Sequence, residues 1–242
     1  MSKVSVCMAT YNGQKYIKEQ LISILSQLSV NDEIIISDDG SKDKTLKIIK
    51  SLNDSRIKVY RHKMNVEKSK NYHLLKKVTR NFENAINKAS GDIIFLSDQD
   101  DVWKPNKIHV MSEKLKEYDC VISGFTEVDE NLIEIGDSKK YLRILHSNYL
   151  KQYLNCPYFG CVMAMNRKFV EFSLPLPNIA VHDRYLGLLA KRVNQLGVVD
   201  EELIYYRRHG ANNSAKTNNS FLSKFIFRFK LLIFTLTRGN YK

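Results

Sequence analysis

Cysteine is scarce and unpatterned in this 242-residue chain: Cys7, Cys120, Cys156 and Cys161 form no CxxC pair and no Cys/His cluster at metal-ligand spacing. That argues against a zinc ribbon or a disulfide framework and for reduced thiols in a cytosolic protein. No GxGxxG follows the first apolar run and no GxxxxGK occurs anywhere, so NAD enzymes and P-loop NTPases are poor candidates. The first apolar run, Val4 to Ala9, turns polar at Tyr11-Asn12-Gly13, too soon for a signal peptide. Without secretion, the Asn-x-Ser triplets at Asn53, Asn212 and Asn218 carry no meaning. Internal repeats, low-complexity tracts and Gly/Ser linkers are lacking too, so nothing demands a second folded domain. Acidic residues are in short supply, 26 against 38 Lys and Arg, for a formal charge of +12. The partner is therefore anionic, whether nucleic acid, an acidic membrane surface or a phosphorylated substrate. No RNA-binding signature favours the first of these.

What is present is a core and two acidic tips. With 43% apolar residues the chain can bury a sizeable interior. Ile93-Ile94-Phe95-Leu96 reads as a buried strand that ends in Ser97-Asp98-Gln99-Asp100-Asp101, three carboxylates in four positions, and so much like charge needs a cation. Ile34-Ile35-Ile36 ends the same way, in Ser37-Asp38-Asp39-Gly40-Ser41. Ligands of open α/β sheets sit beyond the carboxyl ends of strands, so two acidic tips at that edge mark a site.

The periodicity predicts a strand over Val4–Ala9, a helix over Lys15–Leu28, a second helix through Leu46, Ile49 and Leu52, and a strand at Ile57–Arg61. The lysine-rich stretch from His62 to Arg80 resists assignment; Phe82, Ala85, Ile86 and Ala89 then mark a helix. A further helix starts near Lys104-Pro105. Cys120–Val128 reads as a strand with Asn131–Ile135 as its hairpin partner. Beyond Gly136 the alternation becomes irregular, with strands expected near Gly160–Met165 and Leu203–Arg207 and a helix after Val181. The alternation argues for βαβ units and a largely parallel sheet.

Val4-Ser5-Val6-Cys7-Met8-Ala9-Thr10-Tyr11-Asn12-Gly13, the Ser37–Thr45 segment and Gly91–Asp101, in that order and spacing, resemble the family 2 inverting glycosyltransferases of the GT-A fold over roughly the first half of the chain. The resemblance implies a nucleotide-diphospho-sugar donor and a divalent metal, Mg²⁺ or Mn²⁺, neutralising the diphosphate as the sugar leaves. It makes Asp100 the metal ligand, places Asp98 against the ribose or metal, gives Asp39 the nucleobase, and sets Thr10, Tyr11 and Asn12 as the loop beneath base and ribose. Asp101 is expected to cap the following helix and Trp103 to pack. Gln99 departs from the small residue commoner at its position.

Inversion needs one base to take the proton of the attacking hydroxyl. Val181-His182-Asp183-Arg184 stands where the family carries its Glu-Asp or His-Asp motif, so Asp183 is expected to be the base, with His182 either orienting it or purely structural. Tyr206-Arg207-Arg208-His209-Gly210, read either as a segment closing over the sugar donor or as a merely basic loop, offers Arg208 to the diphosphate and His209 to the metal. The His-Asp form together with Ser-Asp-Gln-Asp-Asp resembles the rhamnosyltransferase-like branch.

Residues 216–242 read as a basic tail following a catalytic domain of residues 1–215. Phe221–Phe234 is strongly apolar but interrupted by Lys224, Arg228 and Lys230, too short and too charged to span a bilayer. It suits either a helix lying on an anionic membrane surface or one packed on the domain. The expectation is a cytoplasmic transferase peripheral to the inner face of the membrane. It would take dTDP-rhamnose or a UDP-hexose and extend a glycan or lipid-linked oligosaccharide acceptor, such as a capsular or O-antigen repeat, with no nucleic-acid partner. The rival is a catalytically idle module that binds nucleic acid or anionic membrane.

Overall fold

Apolar runs that alternate with amphipathic helices build the first half of the chain in the computed structural model, which describes residues 2–62, 73–177, 181–210 and 221–241. Strand β1 (Val4–Thr10) is followed by α1 (Ile17–Leu25), β2 (Glu33–Asp38), α2 (Thr45–Ser51), β3 (Ile57–Arg61), α3 (His73–Lys88) and β4 (Ile93–Ser97). β1, β2 and β4 are buried almost throughout, as expected for parallel strands covered by helices on both faces. Of the lysine-rich stretch, 63–72 lies outside the described residues and the part from His73 onward is helical.

The second half is more broken. It runs β5 (Val102–Trp103), α4 (Lys107–Lys114), β6 (Cys120–Val128), β7 (Glu134–Asp137), α5 (Lys139–Leu145), α6 (Tyr149–Asn155), a 3-10 turn at Gly160–Val162, β8 (Met163–Asn166), α7 (Arg167–Ser173), α8 (His182–Arg192), β9 (Leu196–Arg207) and α9 (Phe221–Thr237). The strand expected near Gly160 starts at Met163, because the 3-10 turn takes up the first three residues. The hairpin partner starts at Glu134, three residues later than its pattern implied. Helices α5, α6 and α7 had no clear sequence signal.

The sheet order is β3-β2-β1-β4-β8-β6-β9-β5, with β7 paired to β6. β1, β2, β3 and β4 are mutually parallel. β8 is antiparallel to both β4 and β6, which gives β6 the sense of β4, and β9 is parallel to β6. Most strands therefore point one way, and the carboxyl ends of β1, β2, β4 and β9 share one edge despite lying up to 197 positions apart (Thr10 to Arg207). That edge collects the acidic tips.

Candidate active site

Strand β4 ends at Ser97, and the chain then crosses the edge as Asp98-Gln99-Asp100-Asp101 before returning as β5. Side chains from distant segments pin this crossing. Gln20 of α1 is fully buried and donates from Nε2 to Ser97 Oγ at 2.7 Å and to the Asp98 carbonyl at 3.1 Å. Arg207 at the end of β9 donates its backbone N–H to Asp101 Oδ1 at 3.0 Å and Nε to the Asp100 carbonyl at 2.8 Å. Its guanidinium also reaches the Glu130 carbonyl and Glu19 Oε2, at 2.7 and 2.5 Å, and lies over the Tyr16 ring. Two residues on, His209 Nε2 stands 2.9 Å from Asp100 Oδ2, with its ring against Tyr16. The two residues expected to share a metal are thus in contact.

Asp101 does not cap a helix. It is 1% exposed, its Oδ1 is taken by Arg207, and α4 begins only at Lys107, beyond the intervening strand β5. Its Oδ2 is buried with no hydrogen-bond partner. Trp103 packs as expected, at 3% exposure.

Like charge shapes this edge. Burial, then the charges of Asp101, Asp100 and Asp183, push the Asp98 carboxyl well above the ordinary carboxylate range. Burial and Asp100 push Asp101 up to about 7, against the lowering effect of the Arg207 N–H. Ligand atoms of Asp98, Asp101 and Cys161 lie within 4.8 Å of one another. Burial, then the charges of Asp101 and Asp98, push the Cys161 thiol well above its usual value. A buried carboxylate oxygen without a partner, with the Asp98 carboxylate within 4.8 Å, suits a hard divalent cation, and Asp100 and His209 stand as a separate pair on the same loop edge. A cation would also cancel the repulsion that now disfavours ionisation.

The ends of β1 and β2 continue into a laced pair of loops. Asp38, the last residue of β2, is fully buried and accepts from Thr10 Oγ1 (3.1 Å), Ser41 Oγ (2.5 Å) and the N–H groups of Gly40 and Ser41. Asp38 is spent on structure; Asp39, one step on, is partly exposed and ties its N–H to the Thr10 carbonyl at 3.0 Å. Asn12, at φ 51°, donates its N–H to Ser41 Oγ and accepts from Lys42 N–H. Tyr11 is 52% exposed. Its N–H donates to Gln99 Oε1 at 3.0 Å and its carbonyl accepts from Gln99 Nε2 at 3.2 Å. Gln99 therefore latches the β1 loop to the acidic loop, which accounts for the longer residue at that position. Gly13 makes room for it, since a Cβ there would lie 2.4 Å from Gln99 Oε1.

Asp183 sits in the first turn of α8, its Oδ1 accepting from Arg184 N–H, near enough to Asp98 for its charge to count. His182 is buried, stacks on Phe82 at 4.3 Å, and donates its backbone N–H to Thr79 Oγ1. Arg208 is held by Glu127 of β6 at 2.5 Å and lies over the Tyr206 ring of β9. Thr10, Tyr11, Asn12 and Asp39 gather on the β1–β2 side of the edge. Asp98, Asp100, His209 and Asp183 gather on the β4–β9 side. Gln20, Gln99 and Arg207 escaped the sequence reading as site-building residues; the available signals were a glutamine on the apolar face of α1 and the unusual length of Gln99.

An α/β sheet whose carboxyl edge carries this acidic loop is the GT-A arrangement of nucleotide-sugar transferases. The same fold is found in TarS of S. aureus in complex with UDP-GlcNAc, at TM-score 0.73 and 18% identity, over 97% of this chain and 67% of that one. Residues 5–172 match the model of glycosyl transferase family 2, and the chain belongs to that family. It is 31% identical over 238 residues to the dTDP-rhamnosyl transferase RfbG of Shigella flexneri, covering 90% of this chain and 76% of that protein. It is 27% identical to the UDP-Glc:alpha-D-GlcNAc-diphosphoundecaprenol beta-1,3-glucosyltransferase WfgD of Escherichia coli, over 89% and 80% of the respective lengths. These likenesses give no support to an idle binding module.

Proposed function

We propose that this enzyme transfers a sugar with inversion from dTDP-rhamnose or a UDP-hexose to a hydroxyl of a lipid-linked surface-glycan acceptor, working at the inner face of the cell membrane. The observation that carries the reading is the meeting of Asp98, Asp100, Asp101, His209 and Asp183 at one strand edge, supported by relatives named for both kinds of donor and for an undecaprenyl-linked acceptor. Asp39 and the Thr10–Asn12 loop would hold nucleobase and ribose, with Arg208 available to the diphosphate once freed from Glu127. Asp100 and His209 would hold Mg²⁺ or Mn²⁺, which supplies charge neutralisation at the diphosphate. Asp183 takes the proton of the acceptor hydroxyl as that oxygen bonds to the anomeric carbon, and the nucleoside diphosphate departs from the opposite face with the bonding pair.

The test is a thermal-shift series with UDP-, dTDP-, GDP- and CDP-sugars, each with and without Mn²⁺ or Mg²⁺. A sugar at about a hundredfold its Kd stabilises the folded chain by about 2.7 kcal/mol, a rise of about 5–10 °C for a domain of this size. A metal-dependent rise with a dTDP- or UDP-sugar is expected. No rise with any of the four, in folded protein, removes the proposal.

The Gln99 latch makes a second expectation. Gln99→Ala loses both bonds to Tyr11 and should weaken sugar-donor affinity by up to about thirtyfold, at roughly 1 kcal/mol per bond. Gly13→Ala alone should cost more than in the Gln99→Ala background, where its Cβ has room. Equal penalties in both backgrounds would show that the two residues do not act on one another.

A further inference from the structure

Helix α9 buries one side and leaves the other apolar in solvent. Phe227, Leu231 and Thr235 face the protein, while Phe225, Ile226, Phe229, Ile233 and Leu236 are exposed, from 41% at Ile233 to 62% at Phe225. At the helical repeat these five fall in a stripe about 100° wide that runs for about three turns. Lys230 flanks it on one shoulder and Arg228 on the other, both exposed. Isolated surface apolar residues need no explanation, but a continuous stripe does.

Helix α6 widens the same surface. Tyr153 OH donates to the Arg228 carbonyl at 3.2 Å and Tyr149 OH lies 3.4 Å from Thr235 Oγ1, which lace α6 along α9. Leu150 and Leu154, each one residue past those tyrosines, are 62% and 50% exposed. Charge says what covers this face. No Asp or Glu occurs between Asp137 and Glu171, a span that carries Lys139, Lys140, Arg143 and Lys151, and none occurs after Glu202. Two helices that carry basic residues and no acid, with an apolar stripe along one of them, suit an anionic bilayer rather than a second copy of this chain, which would oppose like charge to like. Among the described residues no helix is long and apolar enough to cross a membrane.

We propose that α6 and α9 together form a docking face for an anionic lipid bilayer, with the α9 stripe set at the headgroup–acyl boundary. This deepens the reading of a lipid-linked acceptor and rests on it only for its purpose. Both helices pack against α8, whose first turn carries Asp183, so docking brings the base to the side of the molecule that meets the lipid.

The experiment is co-sedimentation of the full chain with vesicles of phosphatidylcholine alone or mixed with phosphatidylglycerol. Binding is expected to the mixed vesicles only, and to fall as salt rises. Arg228→Gln with Lys230→Gln should weaken it about thirtyfold, at the usual contribution of a basic residue near an anionic surface. Leu150→Ser with Leu154→Ser should weaken it while leaving the thermal midpoint and the sugar-donor shift unchanged. Equal binding to both vesicle types overturns the proposal, as does unaltered binding by the leucine pair. A concentration-dependent dimer in light scattering that the leucine pair dissolves would also overturn it, by making the face an interface between copies. The assay needs neither sugar donor nor acceptor, so its failure leaves the transferase reading standing and the converse also holds.

Discussion

Asp100→Asn is expected to cut sugar transfer by about a hundredfold to a thousandfold, the loss associated with removing charge stabilisation where the leaving group develops its negative charge. The substitution keeps the shape of the side chain and leaves the Asp100 carbonyl free to accept from Arg207 Nε, so the thermal midpoint of the protein without ligands should barely move. What should vanish is the metal-dependent part of the thermal shift, together with turnover under saturating Mn²⁺ or Mg²⁺. Chelation of the wild-type enzyme should reproduce the same loss. Turnover at the wild-type rate in the variant would remove Asp100 as a metal ligand.

The second large effect is expected at Asp183. Asp183→Asn should lower kcat by about a hundredfold to ten-thousandfold, the range for a missing general base, while sugar-donor binding survives. Geometry favours a clean separation. The amide oxygen that the substitution leaves can still accept the Arg184 N–H, which the Asp183 carboxylate accepts at 2.7 Å, so the start of α8 is preserved. The sign of the electrostatic change helps as well: the Asp183 charge disfavours ionisation of Asp98, and its removal lets Asp98 ionise more readily beside a cation. Isothermal titration of the sugar donor in the presence of metal should therefore show unchanged or tighter binding by a protein that no longer transfers. A variant with full activity would mean that another group takes the proton.

How much of this was legible beforehand follows the range of the interactions. The acidic tips, the strands that carry them and the lack of a glycine-rich phosphate loop were readable because they are local: an apolar run with a polar stop dictates a buried strand and its end. The first four strands and the position of α8 follow from that logic. The division of labour within each acidic tip was not readable. Asp38 and Asp39 are neighbours of identical chemistry, yet one is buried and consumed by Thr10, Gly40 and Ser41 while the other stays half-buried. Asp100 and Asp101 divide in the same manner, decided by Arg207 from more than a hundred positions away. Helices α5 to α7 were missed because their short amphipathic turns are stabilised mainly by what they pack on, not by their own periodicity.

By itself, then, the sequence determined the chemistry available: carboxylates at strand ends, a His-Asp pair opening a helix, a basic and apolar final segment, and the family to which they belong. Tertiary structure alone decided which of these groups meet. The antiparallel β8, set between β4 and β6, restores a common direction and delivers the end of β9 to the end of β4, and only there can His209 stand beside Asp100. Strand pairing between distant segments sets that register, and no local pattern encodes it, because each strand specifies which of its faces is buried but not which neighbour it will find.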